Sequence, residues 1–252
     1  MRLTAAVEWI SETNFIVDGL EFYGDLQTYA ARTTADRVVI LKYAKLLREY
    51  LDYFAPHSIK NLLELGIWQG GSPLFYGMAT DAAKVVALDF APDNPILRDI
   101  ISRRGLAEKL KLYFGVSQDD RAAVRGLIDA EFGDEKLDLV IDDASHMYGP
   151  SRTAFEIIFP RLREGGFYVI EDWQWAHIDD PQYQCGKVFG GQPALTNFIF
   201  ELLMAYGSHA NLFSNIVVRS WFVAVQKGSK SLPDDFRLDD LIRLRGKRLE
   251  LI

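Results

Sequence analysis

Apolar positions along this chain follow two rhythms. Over residues 37 to 54, RVVILKYAKLLREYLDYF, they recur every three or four residues with charges between them, and the spacing predicts an amphipathic helix. Beyond residue 60 the pattern changes to short unbroken runs of Val, Ile, Leu and Phe. These are NLLELGI (61–67), KVVALDF (84–90), KLYFGVS (111–117), LDLVIDDA (137–144) and GFYVIED (166–172). Segments with helical spacing lie between them, as at Phe155, Ile158, Phe159 and Leu162. Continuous apolar strands alternating with helices predict a parallel sheet covered on both faces. A further helix is expected over PALTNFIFELLMAYG (193–207), followed by two strand-like runs, LFSNIVV and SWFVAVQKG, that meet at Arg219. So tight a join allows only an antiparallel pair, because a parallel crossover needs about a dozen residues. The expected fold class is therefore α/β: a doubly wound, mostly parallel seven-stranded sheet ending in an antiparallel hairpin.

Residues 1–36 carry no strong period. They read as an N-terminal helical extension, with the main domain running from 37 to 252. That extension is expected to cover a site edge or to meet another subunit, so a homo-oligomer is anticipated. Residues 174–192 form a long connection after the fifth strand, of the kind that serves as a lid or binding loop.

Composition removes several function classes. The 252 residues carry a formal charge of −7 and a pI near 5.2, which argues against nucleic acid or an anionic membrane as partner. The one basic run, RLRGKR at 243–248, reads as a solvated tail. Cys185 is the only cysteine, so no intrachain disulfide forms and a reducing compartment is expected. No window approaches the roughly 18 apolar residues of a membrane span. A secretory signal pattern is lacking, and a cytoplasmic location is expected.

Candidate chemistry sits at the strand ends. LELGIWQGGS (63–72) follows the first strand and opens a helix: Gly66 would permit the tight turn, Gly70 and Gly71 a close backbone approach to a ligand, and Ser72 would stand at the helix start. A dinucleotide fingerprint would need glycine where Trp68 stands. Glu64 ahead of the looser turn better suits S-adenosylmethionine, which has no pyrophosphate to cradle. Asp89 ends the second strand, where a carboxylate can accept ribose hydroxyls. Ser117 and Gln118, after the third strand, lie where an adenine edge would fall, and helix capping explains Asp119 or Asp120 equally well.

Together ELGIWQGGS, VVALDF, VIDDASH and FPRLREGGFYVIEDW resemble the class I S-adenosylmethionine-dependent methyltransferases, and more narrowly the macrocin-type, metal-dependent sugar O-methyltransferases. The resemblance covers roughly residues 37–228. It implies Asp143, Glu171 and Asp172 as ligands of Mg²⁺, His146 as general base and Asp142 on the cofactor side. The acceptor it implies is a sugar hydroxyl, a deoxysugar on a glycosylated natural product. The chemistry is consistent: converging carboxylates repel unless a cation bridges them, a hard ion takes oxygen ligands, and a histidine near its pKa can remove a proton. Trp173, Trp175 and Tyr148 flank the proposed site as wall residues. A catechol-type phenolic O-methyltransferase and a non-catalytic binding module of the same fold remain as alternatives.

Overall fold

The computed structural model describes residues 1–252, which form two compact units, Met1–Val116 and Ser117–Ile252. The first unit opens with strands where helices were expected. β1 (Val7–Trp9), β2 (Asn14–Val17), β3 (Leu20–Tyr23) and β4 (Arg37–Val39) make a four-stranded sheet in that order. β1, β2 and β3 pair antiparallel, and β4 joins β3 in parallel. The physical reason is a hairpin: Val17 pairs with Leu20 across Asp18 and Gly19, both at positive φ, the two-residue turn that Asp-Gly favours. Burial alternates on both strands, with Phe15, Val17, Leu20 and Phe22 inward. Because β4 belongs to this sheet, a boundary at residue 36 would cut through it.

The helix expected from residue 37 starts later, as α1 (Ala44–Phe54), with Leu47, Tyr50, Leu51 and Phe54 on its buried face. Val38 and Val39, read as helical, instead continue the sheet; β-branched side chains fit a pleated surface well. The expected alternation then follows: β5 (Asn61–Leu65), α2 (Gly71–Ala79), β6 (Lys84–Asp89), α3 (Pro95–Arg103) and β7 (Leu110–Phe114). β6 lies between β5 and β7 and pairs with both in parallel.

The second unit starts with α4 (Arg121–Phe132), whose first free amides are capped by the Asp120 side chain. β8 (Leu137–Asp142), α5 (Tyr148–Ile158) and β9 (Leu162–Glu171) follow, with β8 and β9 parallel. The 174–192 connection carries a short helix, α6 (Pro181–Cys185). α7 (Thr196–Ser208) leads into β10 (Phe213–Val218) and β11 (Phe222–Lys227), the antiparallel hairpin expected at Arg219. β11 pairs antiparallel with β9. The mostly parallel sheet has seven strands. No helix is long and apolar enough to cross a membrane.

Phe155 on α5 packs its ring against Phe159, Tyr168, Phe198 and Phe213, joining helix, sheet and hairpin in one aromatic core. Beside it the nearly inaccessible Glu156 accepts from Arg121 (2.5 Å), Arg152 (2.9 Å), Arg237 (3.0 Å) and the Leu238 amide (3.1 Å). Arg152 also holds Glu201 on α7 and Asp239. Burial pushes the Glu156 carboxyl up, but bonds from Arg121 and Leu238 and the charge of Arg152 outweigh it and hold it below its ordinary value. Its stabilisation is therefore present above an unfolded value of 4.5 and is lost as pH falls through the lower folded one. Glu156→Ala strands these arginines and is expected to cost about 3 kcal/mol, read as a lower urea midpoint at pH 7. The deficit should shrink as the wild type is titrated into acid.

Candidate functional site

β8 is buried along its whole length, so Asp142 at its end is buried too. A carboxylate there needs donors, and Gln118 Nε2 (3.1 Å) and the Tyr168 hydroxyl (3.2 Å) provide them. Burial still pushes the Asp142 carboxyl up to about 6. Gln118 is itself buried, and its Oε1 accepts from the Ser145 amide at 2.9 Å. The loop after β8 is thereby pinned, and it carries Asp143 and His146.

His146 and Asp172 both adopt left-handed backbone, with φ of 55° and 56°. Non-glycine residues seldom do so, though Asp and His tolerate it better than most, and such outliers gather at functional sites. Asp172 leaves β9 in this turn, its amide held by the Trp221 carbonyl at 3.0 Å. Donor atoms of Asp143, His146 and Asp172 all come within 4.8 Å of one another. His146 Nε2 stands 3.8 Å from Asp143 Oδ1, with both side chains partly accessible. Two converging carboxylates, partly reachable from solvent, suit a hard divalent cation, which takes oxygen ligands, and the imidazole stands beside them.

Of the four residues expected here, the structure brings Asp143, His146 and Asp172 together and leaves Glu171 out of the trio. Glu171 is the last strand residue and is buried, one position before the left-handed turn at Asp172. His146 is the third member of the group. Its ring lies 4.3 Å from that of Trp175, which also contacts Tyr183 and Phe189 from the 174–192 connection. These rings, with Asp172 and Gln192, line a cleft beside the trio. Trp173 also lines the cleft, its indole N–H anchored to the Arg219 carbonyl, whereas the Tyr148 hydroxyl donates to Glu201. Positive φ at His146 and Asp172 has no signature in sequence.

The turn in the first unit also departs from expectation. Gly66 (φ 101°) and Gly70 (φ 90°) do supply left-handed turn positions. But a Cβ on Gly70 would strike Leu97, and one on Gly71 would lie 2.4 Å from Cβ of Ile40. These glycines let Leu97 and Ile40 pack against the start of α2. Ser72 is buried in that helix's first turn. Asp89 Oδ2 accepts from the amides of Ile67 (2.7 Å) and Trp68 (2.8 Å), and Oδ1 from Ala91 (2.7 Å). The carboxylate shapes the turn and keeps about one of its four acceptor positions for a ligand. Beside it Phe90 is 80 % exposed and Trp68 46 %, leaving two aromatic rings uncovered at the strand's end. Glu64 is fully buried near Lys42. Ser117 donates to Asp119 at 2.5 Å.

Residues 63–173 match a methyltransferase domain. Over 156 residues the chain is 34 % identical to the 8-demethyl-8-(2-methoxy-alpha-L-rhamnosyl)-tetracenomycin-C 3'-O-methyltransferase of Streptomyces olivaceus, which covers 59 % of this chain and 37 % of that protein. It is 29 % identical over 168 residues to the mycinamicin VI 2''-O-methyltransferase of Micromonospora griseorubida, 56 % and 38 % of the two chains. The chain therefore spans less than two-fifths of the length of either relative. In structure it is similar to the MycE methyltransferase of the mycinamycin pathway in complex with Mg, SAH and mycinamycin VI (TM-score 0.53, 21 % identity, 75 % of this chain and 51 % of that one). It is also similar to a Bacillus cereus O-methyltransferase in complex with SAH (TM-score 0.50, 19 % identity, 73 % and 80 %). Residues 63–173 are thus a methyltransferase domain, the sheet has the class I methyltransferase fold of these solved structures, and the curated proteins the chain is similar to are O-methyltransferases.

Proposed function

We propose that this protein is an S-adenosylmethionine- and Mg²⁺-dependent O-methyltransferase acting on a sugar hydroxyl, a deoxysugar of a glycosylated natural product. The observation that carries the reading is the meeting of Asp143, His146 and Asp172 at two strand ends beside an aromatic and polar cleft. The relatives that methylate rhamnosyl and mycinamicin sugars support the acceptor class.

Asp143 and Asp172 would hold the cation, with Glu171, one residue before Asp172, completing the carboxylate set. Mg²⁺, when bound, makes a coordinated hydroxyl more acidic. S-adenosylmethionine, when bound, supplies an electrophilic methyl group. His146 accepts the hydroxyl proton at Nε2, and Asp143 at 3.8 Å favours the resulting imidazolium. Contact with Trp175 restricts the imidazole, so less motion separates the resting ring from its working position. The cleft's mixed wall suits a deoxysugar, with its methyl-bearing apolar face and its hydroxyl edge. In the first unit, the turn at 66–72, the spare Asp89 acceptor and the exposed Phe90 and Trp68 would hold the cofactor.

The test is methyl transfer from labelled S-adenosylmethionine to a panel of deoxysugar-bearing macrolides and aromatic polyketides, with catechol as control. Glycosides should be methylated, EDTA should stop the reaction and Mg²⁺ should restore it. His146→Ala should lower kcat about 10²- to 10⁴-fold while S-adenosylhomocysteine still binds. Methylation of catechol alone, or indifference to EDTA, would overturn the reading. A second outcome follows from Asp142. Its folded value near 6 lies above the ordinary 3.8, so the fold favours the protonated acid. Its contribution is intact below 3.8 and is lost as pH rises through 6. In EDTA, Asp142→Asn should be the more stable chain at pH 8, by on the order of 2–3 kcal/mol, with no advantage at pH 3.5 by urea unfolding.

A further inference from the structure

The stretch after β11 is held at two places and is otherwise open. Its first part packs on α5: Phe236, Leu238 and Leu241 are buried, and the Leu238 amide donates to Glu156 at 3.1 Å. Residues 242–251 then run exposed or half-buried through the basic run at 243–248. At Ile252 the backbone is caught again. The Ile252 amide donates to Asn197 Oδ1 (3.0 Å), and its main-chain oxygen accepts from Asn197 Nδ2 (2.7 Å) and the Ala194 amide (2.7 Å).

Asn197 is wholly inaccessible at the start of α7, and a buried carboxamide must find partners for its donors and its acceptor. Oδ1 and Nδ2 both serve the backbone of Ile252, and Nδ2 donates to the Ala194 carbonyl as well (2.8 Å). The residue fixed in this way does not belong to the core. Its side chain is 64 % exposed, and it lines the cleft beside the trio together with Trp175, Tyr183, Phe189 and Leu195. Ordering backbone costs conformational entropy, and an aliphatic side chain left in water recovers little of it. A ligand in the cleft would cover that side chain. The cleft spans about 680 Å³ including its open mouth, more than one sugar ring fills.

We propose that Ile252 is a specificity-determining residue, which packs against the apolar aglycone that carries the methylated sugar. Asn197 is a positioning residue that acts through Ile252. The inference rests on the acceptor reading above and extends it to the part of the acceptor beyond the sugar. His146 and Asp172 face the reacting hydroxyl in the same cleft, so one molecule would meet the polar group with its sugar and Ile252 with its aglycone.

The test uses the full chain with Mg²⁺, S-adenosylmethionine and two acceptors. One is the best-methylated glycoside of the panel above; the other is the methyl glycoside of the same deoxysugar. Ile252→Ser should raise KM for the large glycoside about tenfold, the loss expected when a covered aliphatic side chain is truncated, with kcat within about twofold. For the methyl glycoside kcat/KM should stay within about twofold of wild type, and Ile252→Leu should restore the KM of the large one. Asn197→Ala should reproduce the selective loss and speed hydrogen exchange at the Ile252 amide. An unchanged KM for the large glycoside in Ile252→Ser would overturn the proposal. So would an equal loss for both acceptors, which is what a merely structural contact would produce. Should Asn197→Ala fail to fold, the variants of the exposed Ile252 decide alone. If wild type methylates no glycoside of the panel, the acceptor reading itself falls.

Discussion

A carboxylate at the end of a buried strand must find hydrogen-bond donors, and in this protein that requirement organises the loops around the chemistry. Asp142 cannot reach water, so Gln118 and Tyr168 serve it. Gln118 in turn holds the Ser145 amide, one residue before His146. A stability requirement of the strand thus becomes a positional constraint on the proposed base. Polar networks of this kind are costly when half satisfied and rigid when complete.

The same constraint operates in the first unit. Asp89, expected to face a ribose, spends three acceptor positions on the amides of Ile67, Trp68 and Ala91. It builds the turn that presents Trp68 and Phe90 to solvent. The glycines at 70 and 71 likewise serve contact with Leu97 and Ile40. The shape of the turn is set by protein packing on its far side.

Much of this was legible in the chain. The five buried runs became β5 to β9 within a few residues of their expected limits, because strands covered on both faces have no polar side to interrupt them. The hairpin at Arg219 followed from loop length alone. The N-terminal misreading had a visible remedy: NFIVDGLEFY alternates about an Asp-Gly turn, a hairpin signal hidden by the shortness of its strands. Asp143, His146 and Asp172 were each legible as candidates, but which of them the fold brings within reach of one another was not. It depends on which residue leaves the strand in left-handed backbone, and both Glu and Asp are plausible ligands from text alone.

Local order was therefore a property of the sequence, because burial imposes its period directly on neighbouring residues: the strands, most of the helices, the methyltransferase class and the acidic pairs at the strand ends. Convergence was not. That Lys42 lies beside Glu64, that Trp175 restrains His146 and that Gln118 steadies the loop after β8 are contacts between residues 22 to 29 positions apart in the chain. No periodicity carries information over such distances. Only the packed tertiary structure decides which charged and polar groups are buried together, since each must be satisfied by whatever donor or acceptor the fold brings within reach.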